Sequence, residues 1–125
     1  MPTAVQTFFQ NYADALITFS AKNISAFYQT PMTIYSDEGV KQMTAKKDVE
    51  AFWKKEIQPF KEQGIERTTA TVLSQEQLSK TIVISKVLWA NFGRDDREIG
   101  SQTNSYILTQ SDTEFKIAGL FVLDL

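Results

Sequence analysis

A chain of 125 residues with neither histidine nor cysteine must do any chemistry with carboxylates, tyrosines and lysines. The commonest general base is missing, and with it the Ser-His and Cys-His nucleophile pairs, most zinc sites and every disulfide. Tyr12 sits in a helical stripe with Phe8, Phe9 and Leu16, where a phenol is either core with its hydroxyl tied nearby or a donor facing a pocket. Gln102, Asn104, Tyr106 and Leu108 share one face of a strand pattern. Two amides in phase with an apolar pair fit either a buried lining that needs partners or a ligand, or a solvated face covered at one end. Asp37 stands in Ser36-Asp37-Glu38-Gly39, where turn chemistry alone selects aspartate. Lys86 interrupts an apolar strand face; its stem can cover that face while the amine reaches water, and nothing marks it for the depressed pKa a catalytic lysine requires.

The remaining charge is patterned for solvent. Lys46, Lys47, Lys54 and Lys55 are interleaved with Asp48, Glu50 and Glu56, and Asp95 and Asp96 lie between Arg94 and Arg97 without the ligand spacing of a calcium loop. No metal site and no cofactor is expected. A net charge of -2 and a pI of about 5.1 supply no basic field, which argues against nucleic acid and against a membrane surface. No signal peptide and no apolar run of membrane-spanning length is apparent, so a soluble, cytoplasmic protein is expected. A hydrophobic content of 42% suits one domain, residues 1–125, with a single core.

The elements that must position these groups follow from periodicity. Thr3 and Gln6 have the form of a capping box, and Val5, Phe8, Phe9, Tyr12, Leu16 and Phe19 recur at helical spacing to about Ser20. A short helix is expected from Ile24 to Gln29, capped by Asn23 or Ser25 and stopped before Pro31. Met32 to Ser36 and Val40 to Met43 alternate as a hairpin about Asp37-Glu38-Gly39. Thr44 is placed to cap a third helix with Val49, Phe52, Trp53, Ile57 and Phe60 as its stripe, kinked or ended at Pro59 and closed by Gly64. The rest is β: Ile65 to Ser74, a central strand Thr81 to Phe92, Glu98 to Thr109, the turn Gln110 to Thr113, and Glu114 to Leu123. Gly100 and Gly119 interrupt strand patterns, as at bulges that curl a sheet.

This order, together with Phe8 to Leu16, Phe27 to Gly39 and Lys47 to Trp53, resembles the nuclear transport factor 2-like superfamily. The resemblance implies an α+β cystatin-like cone: three helices from the first half of the chain packed in the concave face of a strongly curved antiparallel or mixed sheet. It also implies a pocket drawn from Tyr12, Phe27, Ile34, Trp53, Trp89, Asn104 and Tyr106, and a homodimer formed through the sheet. Ketosteroid isomerases are similar around the first helix; there the oxyanion donor falls on Tyr12, a second donor on Asn104, and the general base on Ser36, or on Asp37 after a one-residue slip. Three readings result: a domain binding a small, largely apolar ligand; an isomerase or cyclase acting on a ketone through Tyr12, Asn104 and Asp37; and a protein-interaction domain using the outer sheet face. The first is preferred, because the slip that brings in Asp37 also reverses the face of a strand residue.

Overall fold

The computed structural model describes residues 3–112 and 114–123. Helix α1 (Ala4–Leu16) begins where expected, with Thr3 Oγ1 accepting from the Gln6 backbone N–H at 3.1 Å. Its end comes earlier than expected: Phe19 takes φ 54, a left-handed conformation that breaks the helix before Ser20. Ser20 then caps α2 (Ala21–Ser25), accepting from Asn23 N, so the second helix starts and stops earlier than its sequence suggested. Tyr28 and Gln29, expected as helix, instead open β1 (Tyr28–Ser36), where pairing with a distant strand outweighs local preference.

Strand β1 forms the expected hairpin with β2 (Gly39–Met43), with Gly39 at φ 126. Helix α3 (Lys46–Glu62) is capped by Ala45 rather than Thr44, and the Asp48 carboxylate accepts from Ala45 N–H at 3.1 Å. It runs through Pro59 without ending there, because the carbonyl that loses its partner belongs to exposed Lys55, within reach of water. Gly64 at φ 74 turns the chain out of the helix, as expected.

Strands β3 (Arg67–Gln77), β4 (Ile82–Phe92), β5 (Glu98–Ser111) and β6 (Glu114–Leu123) form an antiparallel meander. Of the expected turn between the last two, Thr113 lies outside the described residues. The six strands are ordered β2-β1-β6-β5-β4-β3, and β1 runs parallel to β6. The long apolar strand β4 is therefore next to an edge, and β6 and β5 hold the centre; strand order depends on non-local pairing that local composition does not encode.

Ile99 is the extra residue where Gly100 follows, and Ala118 is the extra residue before Gly119. Both glycines thus sit beside bulges that bend the sheet. Gly119 is also a close approach: a Cβ there would lie 3.1–3.3 Å from the Ile107 side chain. On the concave side Phe9, Tyr12 and Leu16 of α1, Ile24 of α2, and Val49 and Ile57 of α3 bury against Val83, Val87, Trp89, Leu108, Ile117 and Leu120. The alternate β4 residues Ile82, Ile84, Lys86 and Leu88 face the other way and keep some exposure. Among the described residues no helix is long and apolar enough to cross a membrane.

A cavity of phenols, indoles and amides

Helical spacing carries Tyr12 to the inner side of α1, and strand alternation carries Trp89 and Tyr106 to the concave face of β4 and β5. Together with Trp53 of α3 and Asn104 of β5 they line a partly open cavity of about 270 Å³, bordered by Leu16, Phe60, Gln63, Thr68, Asn91, Gly100, Ser101, Gln102 and Leu120. Both tryptophans of the sequence are in this lining. Among the described residues no carboxylate, amine or guanidinium is.

The polar atoms are arranged in pairs. Trp89 Nε1–H donates to Tyr106 Oη at 2.8 Å, and the Tyr12 and Tyr28 hydroxyls are 2.5 Å apart, both pairs buried. Thr68 Oγ1 donates to Asn91 Oδ1 at 2.7 Å, and Gln102 Nε2 donates to Asn104 Oδ1 at 3.2 Å. Trp53 Nε1 is buried and lacks a partner among the described residues; its ring lies against Tyr28, centroids 6.2 Å apart. Burial is the main cause that pushes all three phenols above their ordinary ionisation range. Tyr106 is pushed up to about 12, with the hydrogen bonds of Asn104 and Trp89 opposing the shift. Tyr12 is raised further by the neighbouring Tyr28 and Tyr106 oxygens. These hydroxyls stay protonated near neutral pH and act as donors.

The other sequence candidates lie elsewhere. Phe27 touches Tyr12 from behind, rings 5.4 Å apart, and lines an open groove of about 580 Å³ with Phe8 and Phe115. Ile34, Ser36 and exposed Asp37 border a third hollow of about 400 Å³, between the β1–β2 turn, Phe52 and Glu56. Asp37 is thus outside the lining that Tyr12 and Asn104 share. Met32 and Ile34 are buried, and Ser36 follows them in the strand alternation.

Tyr28 went unnoticed in the sequence because it fell in a segment that looked helical. Thr68 and Asn91 carried a weak signal, since each lies in phase with buried residues of its strand. Leu16 and Phe60 were visible only as apolar stripe residues of their helices.

Solved structures share this architecture. A domain of unknown function with a cystatin-like fold from Nostoc punctiforme has a TM-score of 0.75 at 18% identity, over 98% of this chain and 76% of that one. An NTF-2 like protein of unknown function from Shewanella oneidensis has a TM-score of 0.73 at 13% identity, over 97% of each chain. A protein provisionally named a scytalone dehydratase, from Novosphingobium aromaticivorans, has a TM-score of 0.63 at 15% identity, over 95% and 80%. At such identities the likeness is one of fold. No curated protein matches the sequence. The curled mixed sheet, the helices in its concave face and a family match over residues 3–124 agree, and the chain belongs to the family described as NTF2-like protein (DUF6841).

Proposed function

We propose that this protein binds a small, uncharged, largely apolar molecule in the cavity between α1, α3 and the inner face of β4 and β5. The observation that carries the reading is the composition of the lining: two indoles, two phenols and several amides around a hollow that has no charged side chain among the described residues. A charged ligand would lose water there without gaining a counter-charge, at a cost of several kcal/mol. A hollow of about 270 Å³ holds the volume of roughly nine waters, which suits a compact molecule of one or two rings. Among the described residues the lining holds no carboxylate or amine, which favours binding over turnover, since the phenols are held protonated and no other described side chain there can take up a proton.

The test uses the two tryptophans as reporters. One- and two-ring aromatic ketones, ethers and hydrocarbons are titrated while intrinsic fluorescence and thermal unfolding are followed. A ligand at one hundred times its dissociation constant adds about 2.7 kcal/mol to stability, a shift of several degrees. A panel that changes neither signal removes the reading.

A second reading, self-association of two copies through the outer sheet face, is favoured by one feature. Tyr35, 39% exposed, stacks on Phe121 at 4.7 Å and 10° on the face away from the helices. Sedimentation at micromolar concentration tests it: Tyr35→Glu should convert a dimer to monomer, and a monomeric native protein ends it.

A further inference from the structure

We infer that the free edge of β2 takes up an extended peptide of another protein as a seventh, antiparallel strand, with an acidic residue of that peptide set against Lys41. The sheet has two edges, β3 and β2. The first is covered at Ala70 and Val72 by the Gln6 amide. At the second, the register decides which backbone groups are free. A turn of only Asp37 and Glu38 makes Ser36 and Gly39 a hydrogen-bonded pair, so Ile34 with Lys41 and Met32 with Met43 are bonded pairs as well. Val40 and Gln42 hold the alternate positions. Their N–H and C=O groups therefore point away from β1, to the side where the sheet has no further strand.

Beside this edge lies a groove of about 340 Å³, lined by Lys41 and Met43 of β2 and by Asp48, Phe52, Lys55 and Glu56 of α3. Inner side chains of an added strand enter it. The groove carries two charges of each sign, so the residue on the edge itself decides what fits. Lys41 is paired with buried Ile34 and so points inward, its Nζ 5.5 Å from the centre of the Phe52 ring. An inward lysine on an edge strand keeps apolar strands away. It also disfavours a second copy of this chain: the two-fold register that uses all the free groups, Val40 against Gln42, sets Lys41 against its own counterpart at a closely spaced pair. An aspartate or glutamate at that place turns repulsion into attraction, with Lys55 close by. The next residue of the peptide then stands opposite Val40, which is 68% exposed and paired in register with Tyr35. Tyr35 stacks on Phe121, so a β-branched or aromatic residue there extends an apolar row on the outer face. The recognised sequence is thus an acidic residue followed by a β-branched or aromatic one.

The probe is acetyl-Ser-Thr-Glu-Val-Thr-Ser-amide, titrated to millimolar concentration into ¹⁵N-labelled protein and followed by NMR and amide hydrogen exchange. The expected result is saturable shifts and slowed exchange at the Val40 and Gln42 amides, with the Lys41 amide, already bonded to Ile34, changing least. Replacing the peptide's glutamate by lysine should weaken binding about threefold or more, the scale of a cross-strand charge pair, and Lys41→Glu should reverse the order of the two peptides. Lys41 is exposed, so the variant keeps the fold. Methylating the peptide's valine nitrogen removes the N–H meant for the Val40 carbonyl and should abolish binding. Equal binding of the glutamate and lysine peptides overturns the charge assignment, and equal binding of the methylated peptide overturns strand addition. No response at β2 overturns the proposal as a whole. Val40 and Gln42 amides that are protected in the free protein and lose protection on dilution show a second copy on this edge, which overturns the peptide assignment.

Discussion

Trp89 Nε1 and Tyr106 Oη are joined by a 2.8 Å hydrogen bond that runs diagonally between neighbouring strands, since Trp89 is paired in register with Gln102 and Tyr106 with Ser85. Both residues are buried. The bond aims the phenol and satisfies the indole at once, so removing the oxygen should cost more than an exposed hydrogen bond would. Tyr106→Phe leaves the Trp89 N–H buried without an acceptor, and a loss of about 1–3 kcal/mol is expected in urea unfolding. A change under about 0.5 kcal/mol, the usual range of a neutral surface substitution, would mean that the indole finds another acceptor.

Gln6 makes a second prediction. Its side-chain amide donates to Ala70 O at 2.9 Å and accepts from Val72 N–H at 3.0 Å, on the side of β3 that has no neighbouring strand. The amide acts as one residue of a missing strand, and so covers an edge that would otherwise offer free backbone groups. Gln6→Ala should cost about 1–2 kcal/mol and increase aggregation on heating. Gln6→Glu should be worse, because the carboxylate keeps the Val72 contact but faces the Ala70 carbonyl with no proton to donate. Equal stability of Glu and Gln at this position would refute the two-bond account.

How far the sequence revealed this molecule depends on how local each feature is. The glycines that bend the sheet, the hairpin turn at Asp37 and the start of α1 at Thr3 each depend on a few adjacent residues, and all were legible. Gln6 was read as a capping residue because its spacing from Thr3 allows that, yet its amide reaches a strand more than sixty residues away. The second helix was misplaced because Ser20, Asn23 and Ser25 are all acceptable caps, and only the parallel pairing of β1 with β6 decides that Tyr28 is strand. For the cavity, Tyr12, Trp53, Trp89, Asn104 and Tyr106 were legible from face and period. Tyr28 was not, since its contact with Tyr12 is a property of the assembled core.

The buried phenols set the behaviour at high pH. In the unfolded chain tyrosine ionises near its ordinary value of 10, whereas burial holds Tyr12, Tyr28 and Tyr106 above it. Above about pH 10 the unfolded state binds fewer protons than the native state, so stability falls as pH rises; below it the contribution is fully present. Each such group gives a slope of about 1.4 kcal/mol per pH unit, roughly 4 kcal/mol for the three together, acting from 10 towards the Tyr106 value of about 12. Tyr28→Phe should remove about a third of that slope in urea titrations. A slope identical to that of the native protein would show that Tyr28 ionises equally in both states.

Asp37 and Tyr12 provide the test that separates turnover from binding. If a ketone were enolised by Asp37 with Tyr12 and Asn104 holding the oxygen, the carboxylate would have to reach the same substrate as the phenol. Asp37 is instead exposed on the β1–β2 turn, bordering a hollow with Phe52 and Glu56 that shares no lining residue with the Tyr12 cavity. Asp37→Asn should therefore leave the affinity of a cavity ligand unchanged within a factor of about two, less than the tenfold that 1.4 kcal/mol represents. Tyr12→Phe should weaken a ligand that hydrogen-bonds the phenol about tenfold or more, the effect of one buried hydrogen bond of about 1.5 kcal/mol. Should Asp37→Asn instead abolish a measurable turnover by the 10²-fold or more typical of a lost general base, the hairpin would have to close over the cavity, and the enzyme reading would displace the binding one.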